Sequence, residues 1–233
     1  RTHIVVTGLE KIVADMNDVS VLLRLLTRSA TGQDITSYVS VMSGPGDTGD
    51  GPRDFHVVLL DNGRTALLGG ETGEVLRCIR CAACLNHCPI YNSIGGHAYG
   101  ATYPGPIGAA LNPGLLGMAQ AHHHPNASTF CGRCAEVCPV KIPLPSIMRY
   151  WRAKEFEAHT APKALRFGLS VWAFAARRPG LYRMGTRFLA RLLKMMGGRE
   201  AMVHSLPLMR GWFAVRDFPA PMGRTFQERW RSR

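Results

Sequence analysis

Seven cysteines, all between positions 78 and 138, carry the most telling chemistry of this 233-residue chain. Cys78, Cys81, Cys84 and Cys88 run as C-x2-C-x2-C-x3-C, and Pro89 follows at once. A second run, "STFCGRCAEVCP", repeats that ending with Cys131, Cys134, Cys138 and Pro139, but has Ser128 where a fourth cysteine would stand. A disulfide framework favours an even count spread through a small secreted domain, which this is not. The spacing suits thiolates that ligate iron–sulfur clusters. Three cysteines two residues apart wrap one face of a cubane and the fourth turns away. The proline then fixes φ and withholds an N–H donor, sending the chain off in a new direction.

In paired runs of this kind the last cysteine of each ligates the other cluster. Cluster one is then a [4Fe-4S] centre on Cys78, Cys81 and Cys84, completed by Cys138. Cluster two takes Cys131 and Cys134, completed by Cys88, as a [4Fe-4S] or [3Fe-4S] centre with only three cysteines. Ser128 stands at the right step, but soft sulfur suits such centres better than a hydroxyl, and the expectation is that it caps the local turn. Zinc is the rival, because C-x2-C pairs also bind tetrahedral zinc. Four close cysteines followed by proline, in near-copy, are unusual for a zinc ribbon.

Other candidates are weaker. "HHH" at 122–124 could suggest a metal tract, but three consecutive histidines cannot all face one ion on regular structure, so they read as solvated or loop-capping. His87 reads as a surface residue or one that tunes a cluster through a hydrogen bond. There is no Ser-His-Asp, paired-carboxylate or thiol-nucleophile arrangement, so no residue is assigned a catalytic role.

Three regions must position these thiols. Residues 1–70 read as the C-terminal part of an α/β domain. "HIVVTG" is a short apolar strand, and Ile12, Val13, Met16, Val19, Leu22, Leu23 and Leu26 recur at helical spacing from Glu10 to about Arg28. "SYVSVMS" and "FHVVLLD" read as strands, "SGPGDTGDGPRD" between them as an exposed loop, and "DNGR" at 61–64 as a tight turn. Residues 71–147 read as a helical two-cluster ferredoxin-type domain. Glycine and proline interrupt every turn of its bridge, "NSIGGHAYGATYPGPIGAALNPGLLG", which reads as a loop closing over the site and not one long helix. It makes no phosphate-binding motif. Residues 148–233 read as a basic helical region, and the fold class is α+β.

Charge is divided unevenly. Residues 1–140 hold nine Lys/Arg against eleven Asp/Glu, whereas residues 141–233 hold nineteen against five. In "LYRMGTRFLARLLKMM", Arg183, Arg187, Arg191 and Lys194 share one helical face, with Leu181, Met184, Phe188, Leu192 and Met195 on another. That suits a solvated face, or docking to an acidic partner or an anionic membrane surface. No base-reading module accompanies the charge, so nucleic acid is not expected. "ALRFGLSVWAFAA" from Ala164 is too short for a membrane span and reads as a buried helix. The chain begins at Arg1, directly before a strand, which suggests that processing or truncation has removed what preceded it.

Several long stretches resemble the iron–sulfur protein of bacterial lactate utilisation, the lactate-utilisation protein B family. They are "THIVVTGLEKIV", "RLLTRSATGQDITSYVS", "FHVVLLDNGR", "CIRCAACLNHCPIYNSIGGHAYGATYPGPIGAALNP", "CGRCAEVCPVKIPLP" and "RDFPAPMGRTF", and they cover essentially the whole chain. The cysteine segment is also similar to the helical two-cluster modules of succinate dehydrogenase and heterodisulfide reductase. The resemblance implies a cytoplasmic complex that oxidises L-lactate to pyruvate. In it this protein would pass electrons alongside a cysteine-rich-domain partner subunit and a third, small lactate-utilisation protein. It also implies an α/β domain that begins before "HIVVTG", and the same seven cysteines with serine at 128. The residues alone leave a second class open, in which the clusters are structural or redox-sensing and the basic tail is an interaction module.

Overall fold

In the computed structural model, which describes residues 1–46, 51–207 and 209–232, the strand expected at "HIVVTG" forms as β1, Thr2–Gly8. The helix that follows starts later than its periodicity suggests, as α1, Met16–Thr31. Asp15 decides the start: its carboxylate accepts from the backbone N–H groups of Asn17 and Asp18, the bonds an N-cap supplies. Gly32, in the left-handed region at φ 75°, ends it. Leu9–Lys11 form only a short 3-10 turn.

"FHVVLLD" forms β2, Asp54–Leu60, which pairs in parallel with β1 so that Val5 stands opposite Val57. The strand expected over "SYVSVMS" does not form. Tyr38 and Val41 are exposed there (84% and 77%), and strand-like residues without a ladder partner have nothing to hold them extended. Part of the expected loop "SGPGDTGDGPRD", residues 47–50, lies outside the described residues. "DNGR" makes its tight turn through Asn62 and Gly63 at positive φ and leads into α2, Arg64–Leu67.

The cysteine region is built of short helices: α3 (Ala83–Asn86), α4 (Pro89–Ile94), α5 (Gly105–Leu116), α6 (Met118–Ala121), α7 (Arg133–Glu136) and α8 (Leu144–Glu157). Helix α5 corrects the reading of the Gly/Pro-rich bridge as a loop. Every residue from Gly105 to Pro113 is buried, and the helix is the centre of the core. Its small residues are what permit this. A side chain at Gly108 would overlap the Tyr103 carbonyl, and one at Gly114 would press on Leu67. Pro106 sits in the first turn, where its missing N–H costs nothing, and Gly117 at φ 83° follows the last.

Around α5 pack Leu67, Val75 and Leu76 on one side and Ile142, Leu144, Ile147 and Met148 on another. Burying each of the larger apolar side chains contributes about 1.5–3 kcal/mol. Trp151 of α8 donates its indole N–H to the Ala110 carbonyl at 2.9 Å, locking α8 onto α5.

Residues Arg1–Ala161 form one compact unit and Pro162–Arg233 a second. The second contains α9 (Lys163–Ala176), α10 (Pro179–Met196), α11 (Arg210–Phe213) and α12 (Phe226–Arg231). Its two-residue strands β3 (Met202–Val203) and β4 (Phe218–Pro219) pair antiparallel. Helix α9 forms where "ALRFGLSVWAFAA" was expected to make one, but none of its residues is buried. That overturns its reading as a core helix.

Candidate metal centre

The two cysteine runs repeat as backbone, not only as sequence. Cys81 is flanked by Arg80 and Ala82, both at φ 62°, and leads into α3. At the corresponding place Cys131 is flanked by Phe130 at φ 55° and Gly132 at φ 85°, and leads into α7. Three non-glycine residues held in the left-handed region each cost of order 1–3 kcal/mol, a cost that clusters at functional sites. The runs end alike too. The Cys88 sulfur accepts the Tyr91 N–H as α4 begins, and the Cys138 sulfur accepts the Ile142 N–H, both at 3.4 Å. Helices α3 and α7 pack side by side.

Cys78, Cys81, Cys84 and Cys138 line one cavity of about 150 Å³. The rest of its wall is mainly apolar, including Tyr103, Ile107, Ile142 and Leu144. Burial, followed by the charge of Cys78, pushes the Cys84 thiol up to about 12. Burial is also the main cause raising Cys81. Burial thus disfavours the Cys81 and Cys84 thiolates, and a bound cation that displaces their protons would offset that.

The other three cysteines form a more open set. Cys88 is buried, Cys134 half-buried and Cys131 exposed. Burial and then the charge of Cys131 push Cys134 up to about 11, with a smaller push from Cys88. Cys131 is instead lowered, chiefly by the Arg133 backbone N–H and then by the Thr129 hydroxyl. Cys84 also feels the charge of Cys134, so the two sets adjoin.

Among the described residues, no three His, Cys, Asp or Glu side chains gather around a point as a single ion requires. Soft sulfur donors around a mainly apolar cavity fit an iron–sulfur cluster.

Family models match the chain in three places. A LUD domain matches residues 1–60, a 4Fe-4S dicluster domain residues 74–142, and the C-terminal domain of lactate utilisation protein B residues 152–233. The chain is 42% identical over its whole length to lactate utilization protein B of Bacillus pumilus, and 42% identical to that of Geobacillus kaustophilus. In each case it covers 50% of the relative. The chain belongs to the lactate utilisation protein B family. It spans about half the length of the relatives it matches. No solved structure matches it.

In this member of the lactate utilisation protein B family, Ser128 acts as the turn residue it was expected to be. Its hydroxyl accepts the Phe130 N–H at 3.1 Å. Exposed His87 donates its Nδ1–H to the Ala83 carbonyl at 2.9 Å. The triple histidine, expected to be solvated or loop-capping, is solvated only in part: His123 is exposed, but its neighbours are engaged. His124 is buried and meets the Asn112 amide at 2.9 Å, while His122 donates to buried Glu155 at 2.9 Å. Asn126 completes that carboxylate at 2.8 Å. These residues brace α5 and α8.

Sequence reading missed a charged network beside the first cavity. The Glu10 carboxylate, almost wholly buried, meets Arg64 Nε at 2.6 Å, with Arg80 at 3.8 Å and Lys11 at 3.9 Å. Lys11 also donates to the Cys78 carbonyl, and Arg80 lies over the Tyr103 ring at 3.9 Å. Burial, then the Arg80 charge, lowers Lys11. No local pattern announces this network, because its members come from three separate stretches.

Proposed function

We propose that the chain is an iron–sulfur electron-transfer subunit serving the oxidation of L-lactate to pyruvate in the cytoplasm. Cys78, Cys81, Cys84 and Cys138 would hold one [4Fe-4S] cluster, and Cys88, Cys131 and Cys134 the second. The observation that carries this reading is the single cavity to which both cysteine runs contribute. Four soft donors around a dry space are what a cluster needs and what a catalytic thiol does not. When bound, such clusters accept and release single electrons.

The chain's own residues then have defined work. Ile107, Ile142 and Leu144 keep water from the first site. Lys11 ties the Cys78 loop to the residues after β1, and Arg80 and Lys11 put positive charge beside it. The nearness of Cys84 to Cys134 offers a short path between the sites. Oxidising lactate to pyruvate releases two electrons and two protons, so the bond-breaking belongs to a partner. The names of the relatives support lactate as substrate; the partners would be a cysteine-rich-domain subunit and a third small lactate-utilisation protein. With three cysteines and Ser128 turned to its own backbone, the second site would hold one iron by a non-cysteine ligand. That site would be four-iron under anaerobic conditions and three-iron after air.

Anaerobic purification with iron and sulfide counting and electron paramagnetic resonance tests the reading. Two clusters' worth of iron, reducible by lactate only when the partner subunits are present, is the expected result. A colourless zinc protein, or clusters that lactate and partners never reduce, would sink it. A three-iron signal should appear after brief oxidation.

A further inference from the structure

The unit from Pro162 onward carries fifteen Lys/Arg against three Asp/Glu. Its helix α9 exposes large apolar side chains over most of its circumference, while Lys163, Arg166 and Ser170, at three- and four-residue steps, share the remaining side. Phe167 is 73% exposed, Trp172 60% and Phe174 55%, with Leu165 and Val171 also more than half exposed. A helix with so broad an apolar face normally rests against a protein core or in a lipid surface, and none of its residues is buried within this chain. A broad apolar face beside a basic strip suits a helix lying in a lipid surface, where the apolar side enters the acyl boundary and the cations stay at the headgroups.

Length and charge decide how it meets that medium. Fourteen residues extend about 21 Å at 1.5 Å each, short of the roughly 30 Å hydrocarbon core. No described helix is long and apolar enough to cross a membrane. Between Arg166 and Arg177 the sequence is uncharged, while Lys163 precedes that stretch and Arg178 follows it. Arg178 already lies over the Phe174 ring at 3.7 Å, its charge at the helix end. Beside it, α10 exposes Met184, Phe188 and Met195 along one stripe, next to Arg191 and Lys194. Arg187, from the same basic face, is instead paired with Glu228 at 3.0 Å.

We infer that α9, assisted by α10, lies in the surface of an anionic lipid bilayer. Phe167 and Trp172 enter the acyl boundary and the flanking basic side chains meet acidic headgroups. The inference does not rest on the clusters, because vesicle binding is read whatever the colour of the protein.

Co-sedimentation of the whole chain with vesicles tests it. The protein should pellet with mixed phosphatidylglycerol–phosphatidylcholine vesicles and stay in solution with phosphatidylcholine alone. Joint Phe167→Asp and Trp172→Asp substitution should weaken binding at least tenfold, with helical circular dichroism unchanged because both side chains are exposed. Quenching of tryptophan emission by bromine-labelled acyl chains supplies a second readout, and it should fall in a Trp172→Phe variant that folds like the parent. Failure of the parent chain to pellet with anionic vesicles overturns the inference and leaves α9 as a protein-docking helix. Unchanged binding in the double variant, or unchanged quenching in Trp172→Phe, overturns it as well.

Discussion

Helices α5 and α9 are both short, apolar and rich in small residues, yet one is the most buried helix of the chain and the other has no buried residue at all. Hydrophobicity does not separate them. What separates them is reach: α5 presents glycine and alanine, so backbones approach it closely, and its polar Asn112 is satisfied by the Tyr103 carbonyl and His124. Helix α9 presents bulky rings between basic ends. In α5 the apolar surface builds a scaffold for the cysteines. In α9 it is left exposed.

The largest effect should come from the scaffold's cargo. If the cavity is a shared site, Cys138→Ala should destroy the cluster associated with Cys78, Cys81 and Cys84, although Cys138 stands in the other run. Spectroscopy that showed that cluster intact and the Cys131–Cys134 one lost would break the crossed assignment. No substitution in α9 should alter either spectrum.

Next comes the packing itself. Gly108→Ala places a methyl group against the Tyr103 carbonyl, a backbone atom that cannot swing aside. Overpacking of this kind costs about 1–3 kcal/mol, and here the upper end is expected, measured by chemical unfolding. Gly168→Ala is its counterpart in α9, where an added methyl meets nothing within 4 Å. Exchanging glycine for alanine in an open helix should stabilise by roughly 0.5–1 kcal/mol. Equal responses at the two glycines would erase the distinction drawn between the helices.

These contrasts also show what could be read in advance. Cysteine spacing is a local property, so the two runs and their shared pattern were legible, as were β1, β2 and the "DNGR" turn. Helix α5 was not, because glycine and proline lower helix propensity, while the close packing that repays it depends on Tyr103 and Leu67, outside the helix. The Pro106 and Gly117 positions, first turn and end, were the overlooked signal. The Glu10–Arg64–Arg80 network and the buried His124 are products of tertiary contact. "SYVSVMS" failed in the opposite way: its residues suit a strand, but no ladder exists among the described residues to receive them. The β1–β2 pair shows the same lack, since Ile4 and Val57 remain 61% and 54% exposed although parallel strands are normally covered on both faces.

The smallest predicted effect is a pair of opposite pH responses, one from each unit. In the first, His124 is lowered from its ordinary value of 6.5, first by burial and then by the neighbouring His123 charge. The unfolded chain therefore binds the proton more readily, and the stability His124 contributes is present above pH 6.5 and lost as pH falls through its folded value. In the second, exposed His204 is raised above 6.5, first by its hydrogen bond to Asp217 at 2.9 Å and then by that residue's charge. Its contribution is present below pH 6.5 and fades as pH rises through the folded value. Because His204 is exposed, salt should screen its effect, whereas the burial that lowers His124 should be indifferent to salt. Nuclear magnetic resonance titration of both rings, with Asp217→Asn as the control, reads the two directions. Asp217→Asn should return His204 toward 6.5 and leave His124 where it was. Two histidines moving together with pH and salt would mean that they share one environment, contrary to the division between a buried scaffold and an exposed basic unit.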